Sequence, residues 1–315
     1  MTYKRRRIAS IDLGSNSFLL LAAERGEDGL FTVLADESET PRISEGLRAT
    51  RTISPEAVQR AVAALTKLST RAKEIGATEI FATATAAVRE ASNRDDVIRV
   101  FSEAAGVPLE VLPPAEEARL SYLSVTMELP HNERTMVVDI GGGSTEITWG
   151  IGHRFDGARS LNLGTVKLLE KHLTMECPTA IELDAARDEI DAALARITPL
   201  GTLDHYYGTA GSFTHLASLE LGLERYSSQG VAGHILTRER VEEWVNKIAS
   251  TPFEGRKLLP GADPRRIDVL LSGTLIVERL FEKFKNRSFQ VFDRGVRFGK
   301  AYDVLRGFAP PIHFA

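Results

Sequence analysis

One aspartate, three glycines, two hydroxyl residues and one glutamate lie close together in the stretch MVVDIGGGSTEITWG at residues 136–150. Asp139 ends an apolar run, and Glu146 follows the glycines. Glycines bring backbone N–H groups close to a ligand, and such a nest binds phosphate oxygens that side chains would otherwise keep away. The stretch therefore predicts a phosphate site bracketed by carboxylates. Its candidate phosphate contacts are Gly141, Gly142, Gly143, Ser144 and Thr145.

The bracketing carboxylates are candidate metal ligands. Asp139 and Glu146 offer hard oxygen atoms suited to Mg²⁺, with Mn²⁺ as the alternative ion, and Mg²⁺ is usually shared with substrate phosphates. Asp12, which ends an earlier apolar run, is the third candidate ligand. Each aspartate could instead cap its own turn, and the glutamate could be an exposed strand residue.

The segment ASIDLGSNSF at residues 9–18 repeats the arrangement of an aspartate at a strand end before a glycine turn. Asp12 and Asp139 stand 127 residues apart (139 − 12), about the length of one small domain. An internal duplication explains this spacing most simply. A single glycine turn is also an ordinary hairpin, but a pair at domain spacing indicates two loops facing one phosphate. The candidates in the first loop are Gly14, Ser15, Asn16 and Ser17.

A third glycine turn, GTAGS at residues 208–212, precedes a predicted helix. The N-terminus of a helix favours an anion through its exposed N–H groups. Gly208, Gly211 and Ser212 are therefore candidate phosphate contacts, although this turn alone is a weak signal.

Strands and helices alternate around these turns. Ser54 is a candidate N-cap and Pro55 a candidate first residue of a helix that ends near Gly76. The alternation that follows predicts parallel strands covered by helices, an α/β fold. The other predicted elements are strands at 79–83, 109–112 and 289–292 and helices at 95–105, 165–172, 183–197, 238–249 and 263–285.

Glu116 and Glu117 fall in the first turn of another predicted helix. Either carboxylate could deprotonate an attacking water, but an acid is also favoured there by the helix dipole. The helical periodicity does not distinguish a catalytic role from a role at the helix N-terminus. Arg89 and the arginines near residues 265 and 294 are candidate phosphate contacts or ordinary surface charges.

Composition limits the class of protein. The 315 residues are 43% hydrophobic and 26% charged, which is typical of a soluble globular chain with room for two domains. The net charge of -4 argues against a nucleic-acid-binding surface, and no apolar run reaches the length of a membrane span. Cys177 is the only cysteine, so no intrachain disulfide is expected, and the predicted location is cytoplasmic.

Eight blocks resemble one family in order along the chain: ASIDLGSNSF, ATATAAVREASN, EEARLSY, VVDIGGGSTEI, LNLGTVKLLE, GTAGSFTHLA, LLPGADPRRIDVLLSGTLIVERL and DRGVRFGK. They are similar to the exopolyphosphatases and guanosine pentaphosphate phosphohydrolases. The resemblance implies an actin-like fold of two duplicated ribonuclease-H-like domains, at 1–130 and 131–315, with the active site in the cleft between them. It implies Mg²⁺-dependent hydrolysis of a terminal phosphoanhydride.

The resemblance also implies roles for individual residues. Glu117 becomes the base for water, and Asp139 and Glu146 become the carboxylates that position metal and water. The glycine turns become phosphate loops, with Arg89 as a further phosphate contact. Leu19 stands where histidine is frequent and Lys167 where arginine is common, and both departures concern substrate preference.

The substrate implied by the resemblance is inorganic polyphosphate, with pppGpp as the nearest alternative. Longer members add C-terminal domains that this sequence lacks, which favours short chains or nucleotide polyphosphates. A non-hydrolytic alarmone sensor is a second class of function. The retained carboxylates Glu117, Asp139 and Glu146 argue against it. A sugar or acetate kinase is a third, opposed by EEARL and GTAGS. A homodimer is expected from the resemblance.

Overall fold

The computed structural model describes residues 6–26, 31–127, 129, 132–198 and 200–306. Contacts between residues divide the chain into two compact units. Unit 1 runs to residue 127 and also includes the chain from residue 295 onward. Unit 2 comprises the residues between them.

Twenty-four helices and strands are assigned among the described residues. The elements of unit 1 before the second unit are β1 (Arg6–Leu13), β2 (Phe18–Arg25), β3 (Phe31–Glu39), α1 (Leu47–Thr50), α2 (Pro55–Glu74), β4 (Glu79–Ala84), α3 (Ala86–Glu90), α4 (Arg94–Ala105), β5 (Leu109–Val111) and α5 (Pro114–Thr126). Those of unit 2 are β6 (Arg134–Ile140), β7 (Thr145–Ile151), β8 (Arg154–Leu161), α6 (Thr165–His172), α7 (Ala180–Leu194), β9 (His205–Thr209), α8 (Ala210–Leu221), α9 (Ser228–Val231), β10 (Ile235–Thr237), α10 (Arg238–Ala249), α11 (Phe253–Arg256), α12 (Leu270–Phe284) and β11 (Ser288–Val291). The last helix, α13 (Val296–Arg306), belongs to unit 1.

A five-stranded mixed sheet in the order β3-β2-β1-β4-β5 forms the centre of unit 1. Strand β1 pairs antiparallel with β2 and parallel with β4. Because side chains alternate along a strand, Ile11 packs into the cluster that contains α2 and α4, whereas Ile8 packs with α5 and α13. Helices therefore cover both faces of the sheet, as the alternation of elements predicts.

The predicted start of α2 is confirmed in detail. The Ser54 hydroxyl accepts a hydrogen bond from the Ala57 N–H, 3.2 Å away, and Pro55 occupies the first turn. An N-cap side chain satisfies one of the N–H groups that a helix leaves without an intrahelical partner. The sequence signals that begin this helix therefore act locally.

The sheet of unit 2 repeats this order and extends it. Its strands run β8-β7-β6-β9-β11-β10, so β8-β7-β6-β9-β11 matches β3-β2-β1-β4-β5 and β10 is an additional edge strand. Asp12 pairs in register with Thr83 of the neighbouring parallel strand, and Asp139 pairs with Thr209 in the same way. The predicted duplication of an α/β domain is thus present in topology and in register.

The end of the chain differs from the predicted domain division, which assigned all of 131–315 to the second domain. Helix α13 packs on α5 and β1 of unit 1. Its Arg297 donates two hydrogen bonds to the Asp36 carboxylate, and its Asp303 accepts one from Arg119. These contacts join residues far apart in sequence, so no local signal marked them. The predicted boundary itself, between 130 and 131, lies outside the described residues.

The predicted helix over 263–285 begins only at Leu270. Upstream, the Asp263 carboxylate accepts from the Arg265 N–H and the Asp263 carbonyl accepts from the Arg266 N–H, which closes a turn instead of a helix. Aspartate favours such turns because its side chain bonds backbone groups nearby. Among the described residues no helix is both long and apolar enough to cross a bilayer.

We predict that Gly299→Ala destabilises unit 1. A Cβ at Gly299 would lie 2.0 Å from the Leu120 carbonyl oxygen, a backbone atom that cannot move aside. Overpacking of this kind costs about 1–3 kcal/mol, which thermal or urea unfolding measures. Arg99→Ala, which removes only an exposed pair with Glu103, is the control and should change stability by less than about 0.5 kcal/mol. Equal stability of Gly299→Ala and the control would contradict the packing argument.

Candidate active site

The glycine turn between β6 and β7 is held from behind by the first turn of α6. The Thr165 N–H donates to the Gly141 carbonyl and the Val166 N–H donates to the Gly142 carbonyl, both at 3.0 Å. In a trans peptide the N–H of the next residue points opposite to the carbonyl. The N–H groups of Gly142 and Gly143 therefore point away from α6, in the orientation that an anion requires.

Gly164 permits this close approach. A Cβ at this position would lie 2.3 Å from the Gly142 carbonyl oxygen and 2.5 Å from the Gly143 nitrogen. No side chain fits there, so the block LNLGTVKLLE needs its glycine for packing against the turn. Gly164 and Thr165 are not among the candidate site residues predicted from the sequence, although LNLGTV belongs to one of the blocks that carry the resemblance.

Unit 1 uses the same device with a different segment. The turn of 14–17 is closed by a hydrogen bond from the Gly14 N–H to the Ser17 carbonyl, as Gly141 to Ser144 closes the turn in unit 2. The carbonyls of Ser15 and Asn16 accept from the N–H groups of Ser44 and Arg42, both at 3.1 Å. The N–H groups of residues 16 and 17 are consequently directed away from the 42–44 segment.

Arg42 reaches that position with a positive φ of 52°. A residue with a side chain is uncommon in this left-handed region, and such backbone strain collects at functional sites. The Arg60 guanidinium donates to the Pro41 carbonyl and thereby supports the strained segment. The 41–44 segment is not among the residues predicted from the sequence, because no motif marks a backbone that contributes only its N–H groups.

Asp139 and Glu146 are direct cross-strand partners on β6 and β7. Side chains paired in this way lie on the same face of a sheet within about 5.5 Å at Cβ. Glu146 is buried, and its carboxylate accepts a 2.7 Å hydrogen bond from the Ser160 hydroxyl. Two neighbouring carboxylates beside directed N–H groups are a donor set that fits a Mg²⁺ ion shared with a phosphate.

The equivalent pair in unit 1 is Asp12 with Leu19. Leu19 thus occupies the position that Glu146 holds in unit 2, so the duplicated hairpins differ in carboxylate number. Among the described residues no three His, Cys, Asp or Glu side chains cluster tightly enough to hold a metal by themselves. A Mg²⁺ ion commonly takes one or two carboxylates and completes its shell with water and phosphate oxygens.

The hydroxyl residues of the two turns are buried. Thr145 is fully buried, and its hydroxyl donates to the Leu163 carbonyl at 2.7 Å, so it braces the turn from inside. Ser15, Ser17 and Ser144 are buried as well. A hydroxyl on a completely buried side chain forms its hydrogen bonds within the protein and is not exposed to a ligand. Thr145 therefore acts in this structure as a support of the loop.

Glu117 is paired with Arg89 in unit 1. The Arg89 Nη1 donates to the Glu117 carboxylate and to the Leu112 carbonyl, both at 2.8 Å. The Glu117 side chain is 9% exposed, so its charge is nearly desolvated and depends on this partner. The two residues that the sequence analysis placed in separate roles thus lie in contact.

Glu116 has a different partner, which separates it from Glu117. Arg119 donates two hydrogen bonds to the Glu116 carboxylate, at 2.7 and 2.8 Å, and a third to Asp303. The hydrogen bonds to Glu116, followed by those to Asp303, raise the pKa of Arg119. Both Glu116 oxygens are used in a bidentate pair with Arg119, and Arg119 in turn joins α5 to Asp303 of α13. We therefore assign Glu116 a structural role.

The third glycine turn joins β9 to α8. A Cβ at Gly208 would lie 2.2 Å from the Phe213 ring, so Gly208 makes room for the core. Ala210 has a positive φ of 65°, and the Thr209 hydroxyl exchanges hydrogen bonds with the backbone of Arg294. This cross-link holds the turn in one shape and maintains the strained conformation of Ala210.

Gly211 and Ser212 contact residues that are remote in sequence. A Cβ at Gly211 would lie 2.0 Å from Nη1 of Arg266, so the guanidinium rests against the backbone of the turn. A Cβ at Gly273 would meet the Ser212 hydroxyl at 2.6 Å, which places α12 beside the turn. From the sequence alone, Arg266 is only one of several arginines spread along the chain.

The chain matches the sequence model of the Ppx/GppA phosphatase family over residues 23–308. The chain belongs to the Ppx/GppA phosphatase family. This confirms the resemblance stated from the sequence, and with it the prediction of an enzyme. It is 31% identical over 295 residues to exopolyphosphatase 2 of Mycobacterium tuberculosis, covering 90% of this chain and 92% of that one.

A second relative of the Ppx/GppA chain carries a different activity in its name. The guanosine-5'-triphosphate,3'-diphosphate pyrophosphatase of Photobacterium profundum is 29% identical over 94% of this chain and 59% of its own length. Among solved structures, the Aquifex aeolicus family member superposes with a TM-score of 0.83 at 28% identity, over 98% of this chain and 100% of that chain. An exopolyphosphatase from Cytophaga hutchinsonii shares the fold, with a TM-score of 0.87 at 22% identity over 96% and 99% of the chains. The predicted actin-like fold class is confirmed.

We predict that Gly164→Ala disrupts the glycine turn of unit 2. The added methyl would push α6 away from the Gly142 carbonyl and release the peptides that direct the turn N–H groups. Phosphatase activity should fall at least about ten-fold, since small displacements at a positioned site are costly. Gly230→Ala is the matched control because its Cβ meets nothing closer than 3.3 Å. Unchanged activity in Gly164→Ala would show that the α6 contact does not support the site.

Proposed function

We propose that the chain hydrolyses the terminal phosphoanhydride of inorganic polyphosphate and releases orthophosphate. The observation that carries the proposal is the glycine turn of 141–145, with its carbonyls tied to α6 beside the Asp139 and Glu146 carboxylates. Directed N–H groups bind phosphate oxygens without any rearrangement at the moment of reaction. Membership of a phosphatase family and the exopolyphosphatase name of the Mycobacterium relative support the same reaction.

In this proposal the turn of 141–145 binds the terminal phosphoryl group, and the loop of 14–17 is the corresponding set of N–H donors in unit 1. Asp139 and Glu146 would hold Mg²⁺, and Asp12 is the candidate metal ligand of unit 1. When bound, the ion supplies neutralisation of charge on the phosphate oxygens. The carboxylates themselves would repel a phosphate, so binding of substrate and ion should depend on each other.

Glu117 is the proposed general base that removes the proton from the attacking water. Its carboxylate is buried, so the hydrogen bond from Arg89 fixes its orientation and offsets the loss of hydration. A guanidinium carries five N–H donors. The proposed phosphate contact of Arg89 is therefore compatible with its pairing to Glu117 through Nη1.

Hydrolysis of pppGpp to ppGpp is the second candidate function. The reaction is the same attack on a terminal phosphoanhydride, with a nucleotide as the leaving group. The name of the Photobacterium relative favours this candidate. A non-hydrolytic sensor of alarmone is the third, and release of phosphate from either substrate would exclude it.

We predict that Glu117→Gln retains substrate binding but loses about 10² to 10⁴ in turnover, the contribution of a positioned base. Glu116→Gln is a matched control because Glu116, like Glu117, is a carboxylate on α5 that pairs with an arginine. The control should keep turnover within a few-fold of the unsubstituted enzyme. Single-turnover phosphate release and equilibrium binding of polyphosphate measure the two effects. Equal turnover in both variants would refute the assignment of Glu117.

We predict that phosphate release depends on added Mg²⁺ and stops in excess EDTA. Asp139→Asn should raise the Mg²⁺ concentration needed for half-maximal rate, because it removes one charged oxygen ligand. Short polyphosphate, long polyphosphate and pppGpp assayed side by side identify the preferred leaving group. Full activity in EDTA would remove the metal from the proposal, and release from pppGpp alone would replace polyphosphate as the substrate.

A further inference from the structure

The loop of 261–266 is anchored to helix α8 at two points. The Ser218 hydroxyl donates to the Gly261 carbonyl at 2.8 Å. Nε2 of His215 accepts from the Asp263 N–H at 2.9 Å. A Cβ at Gly261 would lie 2.0 Å from the Ser218 carbonyl oxygen, so the loop lies directly on the helix backbone. His215 itself is only 5% exposed. It is not among the candidate site residues predicted from the sequence.

The second anchor leads to the third glycine turn. Asp263 opens the turn in which its carbonyl accepts from the Arg266 N–H at 2.9 Å. That turn brings the Arg266 guanidinium against the backbone of Gly211. The contact of Nε2 with the Asp263 N–H is thus one of the two anchors of the loop that places a positive charge beside residues 208–212.

We propose that His215 is a positioning residue, which holds Asp263 through Nε2 and so keeps Arg266 at the third glycine turn to contact a substrate phosphate. The proposal rests on the proposed function, because it needs a polyanionic substrate at that turn. The role suits an arginine because a guanidinium binds phosphate oxygens through two parallel N–H groups. It requires His215 to be neutral, because only an unprotonated Nε2 accepts a hydrogen bond.

The surroundings of His215 maintain this neutral state. Burial, followed by the nearby charge of Arg266, lowers the pKa of His215 to about 4, and the charge of Asp263 opposes the shift. A pKa below the ordinary value of 6.5 means that the folded protein resists protonation. The stability from this group is complete above pH 6.5 and is lost as the pH falls through about 4. Acid should therefore release the Asp263 contact.

The test compares two substitutions at the same position. Gln carries an amide about as far from the backbone as Nε2, so its oxygen can accept from Asp263 without titrating. His215→Leu removes the acceptor. We expect His215→Leu to raise KM for polyphosphate about ten-fold with kcat changed less than about three-fold, since binding and not chemistry is affected. His215→Gln should keep KM within about three-fold of the unsubstituted enzyme and should lose the rise in KM below pH 5.

Arg266→Ala tests whether the effect passes through the guanidinium. The double variant His215→Leu with Arg266→Ala should have the KM of Arg266→Ala alone, because residues acting in one chain of contacts are not additive. Arg154→Ala is the control: it removes one arginine charge from a side chain that is 68% exposed and paired with Asp156, and it should keep the KM of the unsubstituted enzyme. His234→Gln controls for the loss of a histidine elsewhere in unit 2.

A second readout does not depend on catalysis. Hydrogen exchange at the Asp263 N–H should accelerate in His215→Leu and remain slow in His215→Gln, because exchange reports local opening. Provided that the unsubstituted enzyme releases phosphate, an unchanged KM in His215→Leu would overturn the proposal. So would a double variant whose increase in KM is the product of the two single increases. Absence of phosphate release from every substrate by the unsubstituted enzyme would instead contradict the proposed function.

Discussion

The orientation of a few peptide planes is the constraint on which the candidate site depends. A carbonyl bonded from behind fixes the opposite direction of the next N–H. In unit 2, the first turn of α6 binds the carbonyls of Gly141 and Gly142, and in unit 1 the segment 42–44 binds those of Ser15 and Asn16. Without these contacts a glycine turn would sample many conformations, and its N–H groups would have to be ordered by the ligand at an entropic cost.

Arginine pairing separates two glutamates that are neighbours in sequence. Glu116 uses both oxygens on Arg119 in a contact that extends to α13, whereas Glu117 accepts from the Nη1 of Arg89, which also donates to the Leu112 carbonyl. A buried carboxylate requires a positive partner, but a bidentate pair occupies it more completely than one N–H does. The same residue type in the same helical turn therefore has a structural role in one case and a candidate catalytic role in the other.

Much of the fold was predictable because its signals are local. The N-cap at Ser54 and the strand ends at Asp12 and Asp139 depend on residues within a few positions along the chain. The predictions differ from the structure in two places. Helix α12 starts only at Leu270 because the Asp263 carboxylate and carbonyl close a turn before it. Helix α13 joins unit 1 through Asp36 and Arg119, which lie far from it in the sequence.

The sequence by itself determined the residue types of the site, the duplication and the family, because each is written in motifs and their spacing. Only the tertiary structure decided which partner each residue has. It paired Arg89 with Glu117, set Gly164 against the Gly142 carbonyl and connected His215 to Arg266 through Asp263. The physical reason is that hydrogen bonds and close packing depend on distance in space, which spacing along the chain does not specify once the separation exceeds one element.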